Sequence, residues 1–321
     1  IFIGGGTPSL ASRDLLADWL KTVKRRFSVS DHLEFSIETN PESVSLDLLE
    51  FYQHLGVNRP LFGIQSFDTR LLKVLDRRHC SHDSHRAVYQ ANALGFTNFG
   101  VDLIYGLPGQ NSGMLAMDLD QLLDLEPPHI SFYQLTVEEG TGLAEKVSAG
   151  TLRLPDQELA HAMYRGGAQQ MEEAGYKRYE VSSFAKPGFE CRHNLGYWEG
   201  DEYLGLGPSA HSFMDSERFA NAADLRTYLD ELRAGGLPRV IDESGLEERM
   251  TEAILLGLRT TQGINRRRFS QRFGVPLKDR LDRKQYRILV ESGHLVPDRG
   301  NLRLSDEGFY LADEITRRLL R

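Results

Sequence analysis

From residue 1 to about residue 135, short runs rich in β-branched and aromatic residues alternate with longer segments of helical period. Residues 1–3, 33–38, 59–64, 98–103 and 129–135 read as strands, and 12–27, 45–55, 68–75, 84–94 and 115–125 as helices. That alternation implies a parallel sheet with crossover helices, an α/β barrel or open sheet. Polar side chains gather just past the strands: Glu38-Thr39-Asn40, Gln65-Ser66, Asp102 with Tyr105-Gly106, and Gln134 with Thr136. Parallel α/β folds bind ligands at the carboxyl ends of their strands, so the site is expected on that rim.

After Gly140 the pattern changes. A helix over 156–174 precedes a strand over 178–184, and the stretch CRHNLGYWEGDEYLGLGPSAHS then runs from Cys191 to Ser212. Its glycines and aromatics make it a poor helix and a good ligand loop. From about Leu246 the chain reads as helices followed by strands at 293–296 and 301–304, a hairpin around Asp298-Arg299-Gly300. Three domains are therefore expected, 1–140, 141–245 and 246–321, the last winged-helix-like.

Composition narrows the function classes. With 40% hydrophobic and 26% charged residues, and no apolar run near the roughly 18 residues of a membrane span, the chain reads as a soluble globular protein. Cys80 and Cys191 stand far apart, which excludes a disulfide framework and fits a reducing, cytoplasmic setting. The net charge of −8 hides a basic tail: 14 Lys and Arg face 8 Asp and Glu over residues 265–321. Those charges are interspersed and lack aromatic interleaving, so packing or partner binding is expected there rather than nucleic acid.

Gly4-Gly5-Gly6-Thr7-Pro8 follows the first strand and lets backbone N–H groups approach a polar ligand, although a simple tight turn reads equally well. Glu38, Gln65 and Asp102 end the next three strands, and Arg77 follows Gln65. Singly they read as exposed charges or a cap. Together they offer carboxylates to an ammonium and to ribose hydroxyls, and a guanidinium to a carboxylate. His79, His82 and His85 with Cys80 drift around a helix and read as surface histidines rather than a metal site.

GGGTPS at Gly4, ETNPES at Glu38, GIQSF at Gly63, LDRRH at Leu75 and VDLIYGLPGQ at Val101 resemble the successive motifs of radical S-adenosylmethionine (SAM) proteins of the coproporphyrinogen oxidase and HemW group. YQLTVEEGT, YEVSSFA, CRHNLGYW and YLGLGPSAHS extend the resemblance over nearly the whole chain. It implies a partial (β/α)6 radical SAM barrel without its first strand, then an α+β extension and the winged-helix-like part. It also implies that Gly5, Gly6 and Thr7 line the methionine end of SAM, that Glu38 and Arg77 hold its amino and carboxylate groups, that Gln65 and Asp102 reach the ribose, and that Ile104 lies near the adenine. The family's 4Fe-4S cysteines, spaced CxxxCxxC, precede the GGGTP turn; no such spacing occurs here, and a cluster-bearing segment is expected upstream of Ile1.

His193, Asn194, Tyr197 and Trp198 match the HNxxYW pattern associated with the heme-handling branch; physically, a His can ligate iron while Tyr and Trp pack on a flat macrocycle. An aromatic cluster that buries one domain on another is the alternative. The resemblance implies a heme chaperone that delivers heme to recipient hemoproteins, membrane-associated ones included; it leaves a peripheral position at a membrane and a homodimer open. The alternative is an oxygen-independent coproporphyrinogen III oxidase that decarboxylates coproporphyrinogen III.

Overall fold

The computed structural model describes residues 1–237, 239–242, 244–298 and 300–320. The chain forms two compact units, Ile1–His193 and Asn194–Arg321.

Five parallel strands run through the first unit in chain order: β1 (Phe2–Ile3), β2 (Ser36–Thr39), β3 (Arg59–Gln65), β4 (Gly100–Tyr105) and β5 (His129–Gln134). Helices α1 (Arg13–Arg26), α2 (Leu46–Leu55), α3 (Thr69–Val74), α4 (Ser81–Ala93) and α5 (Ser112–Asp124) fill the crossovers. Every residue of β3 is buried, as expected of a parallel strand covered on both faces. The helices start where side chains accept orphan backbone N–H groups: Ser45 from Leu48, Asp68 from Arg70 and Asn111 from Met114. Helix α4 starts three residues ahead of the sequence expectation, because Asp83 reaches back to accept the Cys80 N–H at 3.0 Å.

Past α6 (Gly142–Ser148) and α7 (Gln157–Glu173), the strand expected over 178–184 divides in two. Glu180 accepts the Ser182 N–H at 2.9 Å and folds the chain back, so β6 (Lys177–Glu180) and β7 (Ser183–Ala185) pair antiparallel. They extend the sheet to the order β1-β2-β3-β4-β5-β7-β6.

The stretch expected to be a loop contains a helix, α8 (Arg192–Glu199). Its start is completed from far away: the Glu34 carboxylate accepts the N–H of Arg192 at 3.1 Å and of His193 at 3.0 Å. A tertiary carboxylate there satisfies orphan donors and complements the helix dipole, which outweighs the poor local propensity.

In the second unit, β8 (His211–Met214), β9 (Glu217–Asn221) and, beyond α9 (Leu225–Arg233), β10 (Arg239–Asp242) form an antiparallel sheet. Then α10 (Leu246–Leu258), β11 (Ile264–Asn265), α11 (Arg266–Phe273), α12 (Arg283–Glu291), β12 (Leu295–Pro297), β13 (Asn301–Leu304), α13 (Asp306–Phe309) and α14 (Ala312–Leu319) make the winged-helix-like part. β12 and β13 are the expected hairpin; Arg299 in its turn lies outside the described residues. Ile254, Leu258, Leu289, Leu302, Leu304 and Leu319 form the core there. Among the described residues no helix is long and apolar enough to cross a membrane.

Two neighbouring glycines in α7 test the packing of the first unit. A Cβ on Gly167 would lie 2.6 Å from the buried Phe132 ring, which Tyr105, Tyr164 and Phe184 hold in place, whereas a Cβ on Gly166 would meet nothing. Gly166→Ala should stabilise the fold by up to about 1 kcal/mol through helix propensity, and Gly167→Ala should destabilise it by about 1–2 kcal/mol through overpacking. Denaturant unfolding that showed equal effects would refute the close α7–sheet contact.

Candidate functional site

The strand ends carry the expected polar groups to one mouth. β1 leaves the sheet through Gly5 and Gly6, whose φ of 77° and 54° suit glycine, and the Gly5 N–H donates to Glu38 Oε2 at 3.2 Å. The pairing of Ile3 with Ile37 sets that turn beside Glu38. Burial raises the Glu38 pKa, and the Gly5 hydrogen bond opposes the shift.

β3 ends on a kink. Its register with β4 slips between Phe62 and Gln65, and Gln65 adopts a φ of 67°, left-handed for a residue with a side chain. The buried Asp118 of α5 holds the following turn, accepting Ser66 Oγ at 2.6 Å and the Phe67 N–H at 2.8 Å. Such conformations persist only where the surroundings impose them, and they gather at functional sites.

Arg77, past α3, donates to Asn40 Oδ1 at 3.3 Å. Asp102 on β4 pairs in register with Ser131 of β5. Burial pushes the Asp102 pKa up to about 6; the Ser131 hydroxyl, bonded to it, lowers the pKa, the nearby Glu38 raises it and Arg77 lowers it. Gly6, Thr7, Glu38, Gln65, Arg77 and Asp102 line one cleft of about 170 Å³. Two partly desolvated carboxylates and a guanidinium side by side suit a ligand with a cationic amine, a carboxylate and hydroxyl groups.

Ile104 shares the Asp102 face two residues along β4 and is not part of the cleft lining. Ser131, the hydroxyl that bonds Asp102, was not singled out from the sequence; only the alignment of neighbouring strands identifies it.

The HNLGYW residues behave differently. His193 stacks on Phe2 with ring centroids 4.3 Å apart, and burial pushes its pKa down to about 4, leaving a neutral imidazole at pH 7. Asn194, Tyr197 and Trp198 belong to the second unit. There the Tyr197 ring meets Tyr203 edge-on at 4.6 Å, the Arg259 guanidinium lies 6.0 Å from the Trp198 ring, and Tyr197 and Trp198 line a separate cavity.

His79 is buried with Nε2 2.9 Å from the Ile64 carbonyl, and His85 Nδ1 lies 2.9 Å from the Ser81 carbonyl. Among the described residues no group of three His, Cys, Asp or Glu is arranged to hold a metal ion.

Residues 1–122 match the radical SAM superfamily, and residues 246–311 match the HemN C-terminal domain. The heme chaperone HemW of Bacillus subtilis is 36% identical over 98% of this chain and 83% of its own length. Radical S-adenosyl methionine domain-containing protein 1, mitochondrial, of Bos taurus is 36% identical over 100% of this chain and 75% of its own. The structure of coproporphyrinogen III oxidase (HemN) from Escherichia coli, a radical SAM enzyme, superposes with a TM-score of 0.83 over 99% of this chain and 76% of that one, at 21% identity. The radical SAM type of α/β fold expected from the motifs is thereby borne out.

The raised Asp102 pKa fixes the sign of a pH effect. Its protonated form is favoured by folding, so its contribution to stability is present below the ordinary carboxylate pKa and is lost as pH rises through about 6. Asp102→Asn should therefore raise the melting temperature of the ligand-free protein at pH 7.5, with the gain vanishing near pH 4. A gain that did not depend on pH would contradict a desolvated carboxylate at this position.

Proposed function

Because the chain belongs to the heme chaperone HemW family of radical SAM proteins, we propose that it binds heme and passes it to a recipient hemoprotein, with SAM seated in the cleft at the ends of β1–β4. The observation that carries the reading is kinship at 36% identity along 98% of the chain. The cleft supports the SAM assignment through its chemistry. Glu38 would accept from the methionine amine, Arg77 would grip the methionine carboxylate, and Gln65 and Asp102 would bond the ribose hydroxyls. Gly5, Gly6 and Thr7 leave room for the backbone to follow the methionine end, and Ile104 offers an apolar face to adenine.

Reductive cleavage of SAM takes its electron from a 4Fe-4S cluster held by three cysteine thiolates. The donors in these 321 residues do not fit that cluster, since Cys80 leads into α4 and Cys191 is buried beside Glu34. In this chain the cleft residues therefore bind and orient.

On the heme side, His193 presents a neutral imidazole, the protonation state that ligates iron, and Asn194, Tyr197 and Trp198 supply polar and aromatic contacts. Recipient hemoproteins, membrane-associated ones among them, follow from the chaperone reading.

Heme titrated into the protein should bind at a fixed stoichiometry and move to an apo-hemoprotein on mixing, as read by the Soret band of each. Conversion of coproporphyrinogen III to protoporphyrinogen IX with SAM consumption, and no heme transfer, would overturn the chaperone reading in favour of an oxidase. Glu38→Gln and Asp102→Ala should each weaken SAM binding by about tenfold or more in calorimetry, because each removes a hydrogen bond to or from a charged group. Unchanged affinity would remove those side chains from the site.

A further inference from the structure

In the second unit, Tyr197, Tyr203 and Phe213 face a cavity of about 270 Å³ that three arginines enter: Arg218 from β9, Arg249 from α10 and Arg272 from α11. Three carboxylates also line it, Glu199, Asp201 and Glu252, and their ion pairs go to Arg218 and Arg268. Arg218 is paired with Glu252 at 2.5 Å, and Glu199 and Asp201 are both engaged by Arg268, at 2.8 and 2.5 Å. Arg249 donates to the uncharged Ser216 carbonyl at 2.7 Å, and its buried Nε has no hydrogen-bond partner. Arg272 packs against the rings of Phe213 and Phe273, 5.3 and 5.1 Å from their centroids, with no carboxylate in ion-pair range among the described residues. Neither Arg249 nor Arg272 thus has a carboxylate in ion-pair range among the described residues.

Partial burial and the neighbouring arginines Arg268, Arg249 and Arg218 lower the Arg272 pKa, and Glu252 opposes that shift. Gly200, at φ 68°, lets the Arg272 guanidinium lie against the backbone, where a Cβ would displace it.

The cavity is smaller than the roughly 300–1,000 Å³ that encloses a drug-sized ligand, so it suits one charged edge of a larger molecule. We propose that Arg249 and Arg272 are a carboxylate clamp that takes the two propionates of heme. The proposal deepens the heme-binding reading and rests on it. Two guanidinium groups without a carboxylate in ion-pair range meet two anions, and the planar guanidinium fork gives each pairing the two-pronged geometry that carboxylates favour.

The test compares hemin with hemin dimethyl ester, in which both propionates are esterified, by Soret titration of the protein and of its Arg249→Gln/Arg272→Gln variant. The unsubstituted protein should prefer hemin by about tenfold to hundredfold. The double variant should lose that preference through weaker hemin binding alone, with its affinity for the ester unchanged, which also reports an intact fold. Arg272→Lys, which keeps the charge and loses the fork, should retain part of the preference. If the unsubstituted protein binds both compounds equally, or the double variant keeps the preference, the clamp is wrong and heme binding stands. If the unsubstituted protein binds neither, the heme-binding reading fails and takes the clamp with it.

Discussion

The polar mouth of the first unit depends on one buried carboxylate. Asp118 points inward from α5 and takes both the Ser66 hydroxyl and the Phe67 N–H, fixing the chain where it leaves β3. That grip holds Gln65 in a left-handed conformation, which aims a strand-end side chain at the cleft instead of continuing the pleat. A buried carboxylate is costly unless its oxygens are bonded, and here two donors from the strand's own exit satisfy it. Helix packing and site geometry therefore share one contact, and loss of the α5 register would disturb the cleft before it disturbed the core.

The two units handle charge in contrasting ways. In the cleft, burial raises the cost of ionising both Glu38 and Asp102, Glu38 adds to it at Asp102, and Arg77, which is bonded to Asn40, offsets only part of it. That arrangement holds unsatisfied acceptor capacity ready for a cationic, hydroxyl-bearing ligand. In the cavity of the second unit the charge outside ion pairs is cationic, and the Arg272 guanidinium is stacked on the Phe213 and Phe273 rings, which partly compensate it without neutralising it. Each site stores electrostatic strain of the sign its proposed ligand would discharge.

Much of this was legible in the chain. The alternation of strand and helix patterns foretold the five parallel strands to within about three residues at most ends, because buried parallel strands are short apolar runs that end in polar residues. Gly6, Thr7, Glu38, Gln65, Arg77 and Asp102 converge because neighbouring strands in one parallel sheet must share a rim. What stayed hidden depends on distant partners. The helix at Arg192–Glu199 needs Glu34, the break between β6 and β7 needs the Glu180 side chain to turn inward, and Ser131 acquires meaning only beside Asp102. Arg249 and Arg272 belong to different helices, and no local pattern relates them.

The Glu34 contact also bears on the order of folding. It joins residues 158 and 159 positions apart, so the start of α8 closes one of the longest loops in the unit. Loop closure costs entropy that grows with the logarithm of length and is recovered only once the intervening strands have paired. During synthesis the residues around His193 emerge after the whole parallel sheet has had time to assemble, and their helix is completed onto a finished surface. The stacking of His193 on Phe2 accordingly requires β1 to be in place.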